Sequence, residues 1–156
     1  MTDPIIETGG AGAETGSSPA PLPDDDLDVS GRRGVGDLAA KMGIEILEIS
    51  AERAVGRMPV EGNTQPFGIL HGGAHVVLAE SLGSMAATLA AGPGRMAMGI
   101  ELNASHSRAA TSGWVTGTCT AIHIGRTLAT HEVVLTDDAG RRLSTVRITN
   151  ILRDAR

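Results

Sequence analysis

Apolar positions run almost without a break from Val76 to Leu89, and nowhere else does the chain repeat that pattern. Val76, Val77, Leu78, Ala79, Leu82, Met85, Ala86, Ala87 and Leu89 leave no broad polar side, so a helix here belongs inside the fold rather than on its surface. The polar turn Glu61-Gly-Asn-Thr-Gln-Pro66 precedes it, and Ala91-Gly-Pro-Gly94 supplies the residues that stop a helix. Together they predict a helix of about five turns over residues 72–91.

The rest of the chain has a shorter period. A brief helix over 37–42 leads to Gly43. Residues 44–49 and 53–58 then read as the two strands of a hairpin, ended by Pro59. Beyond Arg95 the pattern predicts strands over 96–107, 113–124, 127–136 and 142–152. Ala109-Ala-Thr-Ser-Gly113 and Asp137-Asp-Ala-Gly140 serve as turns. Long consecutive strands with short links imply an antiparallel meander, not alternating strand and helix units. The expected fold is α+β, with about six antiparallel strands curled around one long central helix.

Composition narrows this picture. Phe67 and Trp114 are the only aromatic residues, so the core is aliphatic. Residues 1–33, rich in Gly, Ala, Pro, Ser and Asp, predict a flexible acidic N-terminal tail, and residues 34–156 a single domain. Seven acids face two arginines over residues 1–36, whereas residues 37–156 hold eleven charges of each sign. The domain therefore has no broad positive field for nucleic acid, and the helix is expected in a soluble core rather than a membrane. A lone cysteine, Cys119, and the lack of a signal-like N-terminus point to a cytoplasmic setting.

Glu80 interrupts the apolar helix. With Ser84 and Thr88 it forms a narrow polar stripe at i, i+4 and i+8. Among such apolar neighbours the carboxylate is expected to be buried and supported by Ser84, a costly placement unless it has a task. His71-Gly72-Gly73 falls at the helix start, where backbone N–H groups are unpaired and the dipole is positive. Donors for an oxyanion together with a carboxylate suit acyl transfer to water. Gly72 and Glu80 are eight residues apart, so roughly 12 Å of helix axis separates them. One helix cannot bring both to one carbonyl. Either Glu80 works with other donors, or two helices meet antiparallel across a twofold axis.

Other chemistry fits less well. His71 and His75 have a metal-ligand spacing, but the His-Glu-x-x-His pattern and any cysteine pair are missing, so no metal is expected. Leu82-Gly-Ser-Met-Ala86 lacks the second glycine of a nucleophile elbow. Asn103 and His106 fall in a strand that can run beside the helix and contact an acyl group. His123, Gly125 and Arg126 fall at a turn able to grip phosphate, and Arg141, Arg142 and Arg147 are further candidates.

The segments Gln65-Pro-Phe-Gly-Ile-Leu-His-Gly-Gly-Ala74, Leu78-Ala-Glu-Ser-Leu-Gly-Ser84, Gly99-Ile-Glu-Leu-Asn-Ala-Ser-His106 and His123-Ile-Gly-Arg126 together resemble hotdog-fold acyl-CoA thioesterases. The likeness, over residues 37–153, is to the branch with the catalytic carboxylate in the central helix. That branch includes the 4-hydroxybenzoyl-CoA, 1,4-dihydroxy-2-naphthoyl-CoA, phenylacetate-pathway and enterobactin-proofreading enzymes. The resemblance implies Glu80 as nucleophile or general base, Gly72 as the backbone oxyanion donor, and Gln65 and His71 as its helpers. It implies Ser84 and His106 as supports for the carboxylate or acyl group; Asn103, by its strand, and Gly73, by the close approach glycine permits, are the further residues expected at the substrate. His123, Gly125 and Arg126 would contact coenzyme A. It further implies acyl-CoA or acyl-carrier thioester substrates, no cofactor beyond the coenzyme A of the substrate, and a homotetramer built as a dimer of dimers. The alternative is a non-catalytic acyl-CoA-binding or regulatory module of the same fold.

Overall fold

Inward-facing small and aliphatic residues define the strands of the computed structural model, which describes residues 19–28 and 34–155. In β2 (Arg53–Pro59), Ala54, Gly56 and Met58 are buried and alternate with less covered positions, the signature of a sheet with one face on the core. The other elements are α1 (Asp37–Lys41), β1 (Glu45–Ile49), α2 (Gly72–Ala91), β3 (Arg95–His106), β4 (Trp114–Ile124), β5 (Leu128–Thr136) and β6 (Arg142–Asp154). Each lies within a few residues of its expected position. Gly92, at φ 79°, closes α2 in a conformation that a side chain would strain.

All six strands form one antiparallel sheet in the order β1-β2-β4-β5-β6-β3. This corrects the expected meander. β4, β5 and β6 follow one another, but β3 lies at the far edge beside β6. The cause is α2, which packs against every strand and carries the chain across the sheet before β3 begins. The short link over 107–113 suggested that β3 and β4 pair; instead it crosses from the edge strand beside β6 to β4, which lies between β2 and β5.

Close approach of helix and sheet depends on small residues. Gly56 and Gly117 are paired across β2 and β4. Leu82 fills the notch between them, its methyl carbons 3.0 and 2.9 Å from where Cβ atoms would stand. Full burial of such a leucine contributes about 1.5–3 kcal/mol. Gly83 presses on the sheet so tightly that an added Cβ would overlap the Ile148 Cγ2 methyl. By length and composition α2 could cross a membrane, but Ala74, Leu78, Ala79, Leu82, Ala86 and Ala87 are buried inside the sheet instead.

Packing begins earlier than residue 34. Within the segment expected as a tail, Leu27 is buried, and the Leu22 N–H donates to the Ile46 carbonyl at 2.7 Å, covering part of the β1 edge. The remainder of that expected tail, residues 1–18 and 29–33, lies outside the described residues. At the opposite edge, β3 exposes Met98 and Ile100.

Candidate active site

The loop before α2 is pinned by its own polar groups. The Asn63 side-chain amide donates to the carbonyls of Met42 and Pro59, at 2.8 and 3.0 Å, and the Asn63 backbone carbonyl accepts from the His71 N–H. The Leu70 N–H donates to Ala110, and Gln65 exchanges backbone bonds with Gly68 and Ile69. These contacts deliver His71 as the N-cap of α2 in an extended conformation.

His71 is a cap that uses its ring. The Gly73 N–H donates to His71 Nδ1 at 2.8 Å, and the Ala74 N–H donates to the His71 carbonyl. Of the first three N–H groups of α2, only that of Gly72 has no partner among the described residues. Gly73, expected at the substrate, has its N–H committed to the cap. A helix start with one free donor is a site for a single developing negative charge.

That donor sits beside a cleft of about 370 Å³ lined by Gln65, Ile69, Gly72, His75, His106 and Arg108 among others. His106 reaches the cleft from the end of β3. Its Nε2 is 3.1 Å from where a Gly72 Cβ would stand, and its Nδ1 is 3.0 Å from the Ser144 hydroxyl. Ser144 donates its one proton to the Ser105 carbonyl at 3.1 Å, so the bond from His106 runs the other way, Nδ1–H to Ser144 Oγ. In the neutral ring this leaves the Nε2 lone pair on the Gly72 side.

His75 lies behind His106, the ring centroids 5.2 Å apart and inclined at 49°. It is 3% exposed and its Nδ1 has no partner. Burial, and secondly the neighbouring His106, hold its pKa down to about 4, so the ring is neutral near pH 7. The sequence considered His75 only as a metal partner of His71. No cluster of three metal-ligating side chains exists among the described residues. The signal available was a second polar interruption of the apolar helix.

Glu80 departs from expectation. Its side chain is exposed in the single chain, because the sheet leaves one face of α2 uncovered. It stands against β3, with Oε1 3.7 Å from where a Gly99 Cβ would be. Ser84 does not bond to it; its hydroxyl donates to Asn150 Oδ1 on β6 at 3.3 Å. Asn150, fully buried, stands in the inward series Val146, Ile148, Asn150, Leu152, where it breaks the apolar alternation of β6.

The remaining candidates are scattered. Leu102 and Ala104 pack against the core, so Asn103 between them faces away from α2, donating to Glu101 Oε1 at 2.8 Å. His123 lies at the end of β4, and Gly125 and Arg126 in the β4–β5 turn, where the Arg126 carbonyl accepts from Arg95, just past the C-terminus of α2. They therefore lie at the other end of the helix from Gly72. Arg141 pairs with Asp137, Arg147 with Glu101, and Arg142 donates to Thr145.

Residues 67–144 match the Thioesterase superfamily. The chain is 42% identical over 123 residues to the proofreading thioesterase EntH of Cronobacter turicensis, an alignment covering 78% of this chain and 90% of that protein. It is 45% identical over 112 residues to the proofreading thioesterase EntH of Klebsiella pneumoniae, covering 71% and 82%. The crystal structure of a thioesterase from Pseudomonas aeruginosa superposes with a TM-score of 0.75 at 36% identity, covering 86% of this chain and 96% of that one.

Proposed function

Because this chain belongs to the Thioesterase superfamily and is a hotdog-fold thioester hydrolase, we propose that it cleaves acyl thioesters of coenzyme A, aromatic ones above all, or their carrier-protein counterparts. The free Gly72 N–H at the head of α2, opening on a cleft beside His106, is the observation that carries this reading. The thioester carbonyl oxygen accepts from that N–H, with Gln65 at the cleft wall and His71 holding the helix start in place.

Glu80 of a second copy supplies the carboxylate. It either takes a proton from the attacking water or itself adds to the carbonyl, giving an anhydride that water then opens. In both routes the C–S bond breaks and the thiolate leaves and is protonated; water oxygen enters the acid directly in the first route, whereas opening the anhydride at the Glu80 carbonyl leaves it on the carboxylate and hands a Glu80 oxygen to the acid. With Glu80 of one copy level with Gly72 of the other, the C-terminus of the first copy's α2 projects about 16 Å beyond Gly72. The His123–Arg126 turn then stands where a coenzyme A arm would extend, its arginine suited to phosphate.

A dimer is the smallest active unit in this scheme, and a dimer of dimers the assembly we favour. Coenzyme A enters as part of the substrate, no further cofactor has a role, and the cytoplasm is the compartment we assign. The test is thiol release from benzoyl, phenylacetyl, naphthoyl and fatty acyl thioesters. Glu80→Gln is expected to abolish turnover while retaining ester binding, and normal hydrolysis by that variant would refute the assignment.

A further inference from the structure

Asn150 is the one fully buried amide side chain among the described residues, and half of it is unused. On β6 it is paired with Ala129 of β5 on one side and Gly99 of β3 on the other, two residues too small to offer it a partner. Its Oδ1 accepts from Ser84 at 3.3 Å, while its Nδ2 has no acceptor. A buried N–H₂ group left without a partner is destabilising, and apolar alternatives of similar shape avoid the cost. Asn150 is therefore costly where it stands.

Its surroundings show what it can act upon. A Cβ placed on Gly99 would lie 3.8 Å from Asn150 Oδ1 and 3.7 Å from Glu80 Oε1. The missing side chain thus opens a gap with the amide on one side and the carboxylate on the other. Ser84, one turn along α2 from Glu80, is the hydroxyl that reaches the amide. An amide has ends of equal size, so a half-turn of the Asn150 side chain meets no steric barrier of its own. After that turn Nδ2 donates to Ser84 Oγ. The serine proton, no longer committed to Asn150, is then free to be donated to Glu80, a charged and hence stronger acceptor than an amide oxygen.

We infer that Asn150 is a positioning residue, acting through Ser84 to orient the Glu80 carboxylate from inside the sheet. The inference rests on the proposed role of Glu80, and Asn150 itself does not touch substrate. Its effect belongs in kcat rather than KM, because the carboxylate is aimed in the reacting complex and the cleft beside Gly72 is unaltered.

The experiment is a double-mutant cycle on the full chain, measuring kcat, KM and Tm for Asn150→Ala, Ser84→Ala, their combination and Glu80→Gln. Asn150→Leu is added as a cavity-free control. Both Asn150 variants are expected to lose kcat by roughly 10- to 100-fold, the worth of a hydrogen bond to a charged group, with KM unchanged. In the Ser84→Ala background the same changes are expected to cost nothing more. Wild-type kcat in both Asn150 variants, or losses that multiply with that of Ser84→Ala, would overturn the inference. If either result accompanies an inactive Glu80→Gln, the inference fails alone. A fully active Glu80→Gln would instead remove the reading on which it rests.

Discussion

His106 lies against Gly72, its Nε2 3.1 Å from where a Cβ would stand, so a side chain there would press on the imidazole, which must give by a few tenths of an ångström. Gly72→Ala retains the backbone donor yet must displace the imidazole or tilt the helix start. Since misplacement by about 1 Å can cost on the order of 10²-fold in rate, the smaller shift here is expected to lower kcat by up to about tenfold. Steady-state kinetics beside a thermal melt will show it, with Tm little changed.

Gly72 and Glu80 share a helix but not a carbonyl, which makes the site separable between copies. Gln65→Ala impairs the Gly72 half and Glu80→Gln the other half. Co-refolding the two variants is expected to restore roughly a quarter of wild-type activity, because half of random dimers are mixed and each mixed dimer has one intact site. Either variant alone should keep only its own residual activity after the same treatment.

His75 gives the fold an acid sensitivity. Its pKa is about 4 when folded and near 6.5 when unfolded, so between those values the unfolded chain binds more protons. Stability contributed by the neutral ring is present above pH 6.5 and is lost as pH falls toward 4, with a slope of at most ~1.4 kcal/mol per pH unit. Denaturant unfolding at several pH values should give His75→Gln a flatter profile across that window than the wild type.

Gly83 is packed directly on Ile148, where an added methyl would overlap the isoleucine Cγ2. Gly83→Ala gains helix propensity but overpacks the core, and we expect a net loss of about 1–3 kcal/mol. Gly83→Ala paired with Ile148→Leu, which carries no methyl branch at Cβ, should recover part of it, as read from denaturation midpoints.

The elements were legible because punctuation and periodicity are local. Pro59, the glycines after Ala91 and the Asp137-to-Gly140 turn mark boundaries, and the apolar run over 76–89 marks the core helix. The position of β3 was not legible, since strand order depends on how α2 crosses the sheet and no residue of β3 records it. Motif spacing singles out Gly72, His106 and Glu80 as candidates, but not the exposure of Glu80, which depends on how far six strands can wrap a helix. Nor could it separate Asn103 from His106. One residue of register decides which face a strand residue serves, and only pairing with β6 fixed it. His75, Ser144 and Asn150 went unrecognised because buried polar partners are defined by contacts across the fold.

The Arg57 guanidinium stacks over the Trp114 ring at 4.4 Å while also pairing with Glu45 at 2.6 Å, which ties β1, β2 and β4 together at one place. Trp114 is the sole tryptophan. Intrinsic fluorescence therefore reports the loosening of that corner of the sheet alone, a clean optical signal for unfolding.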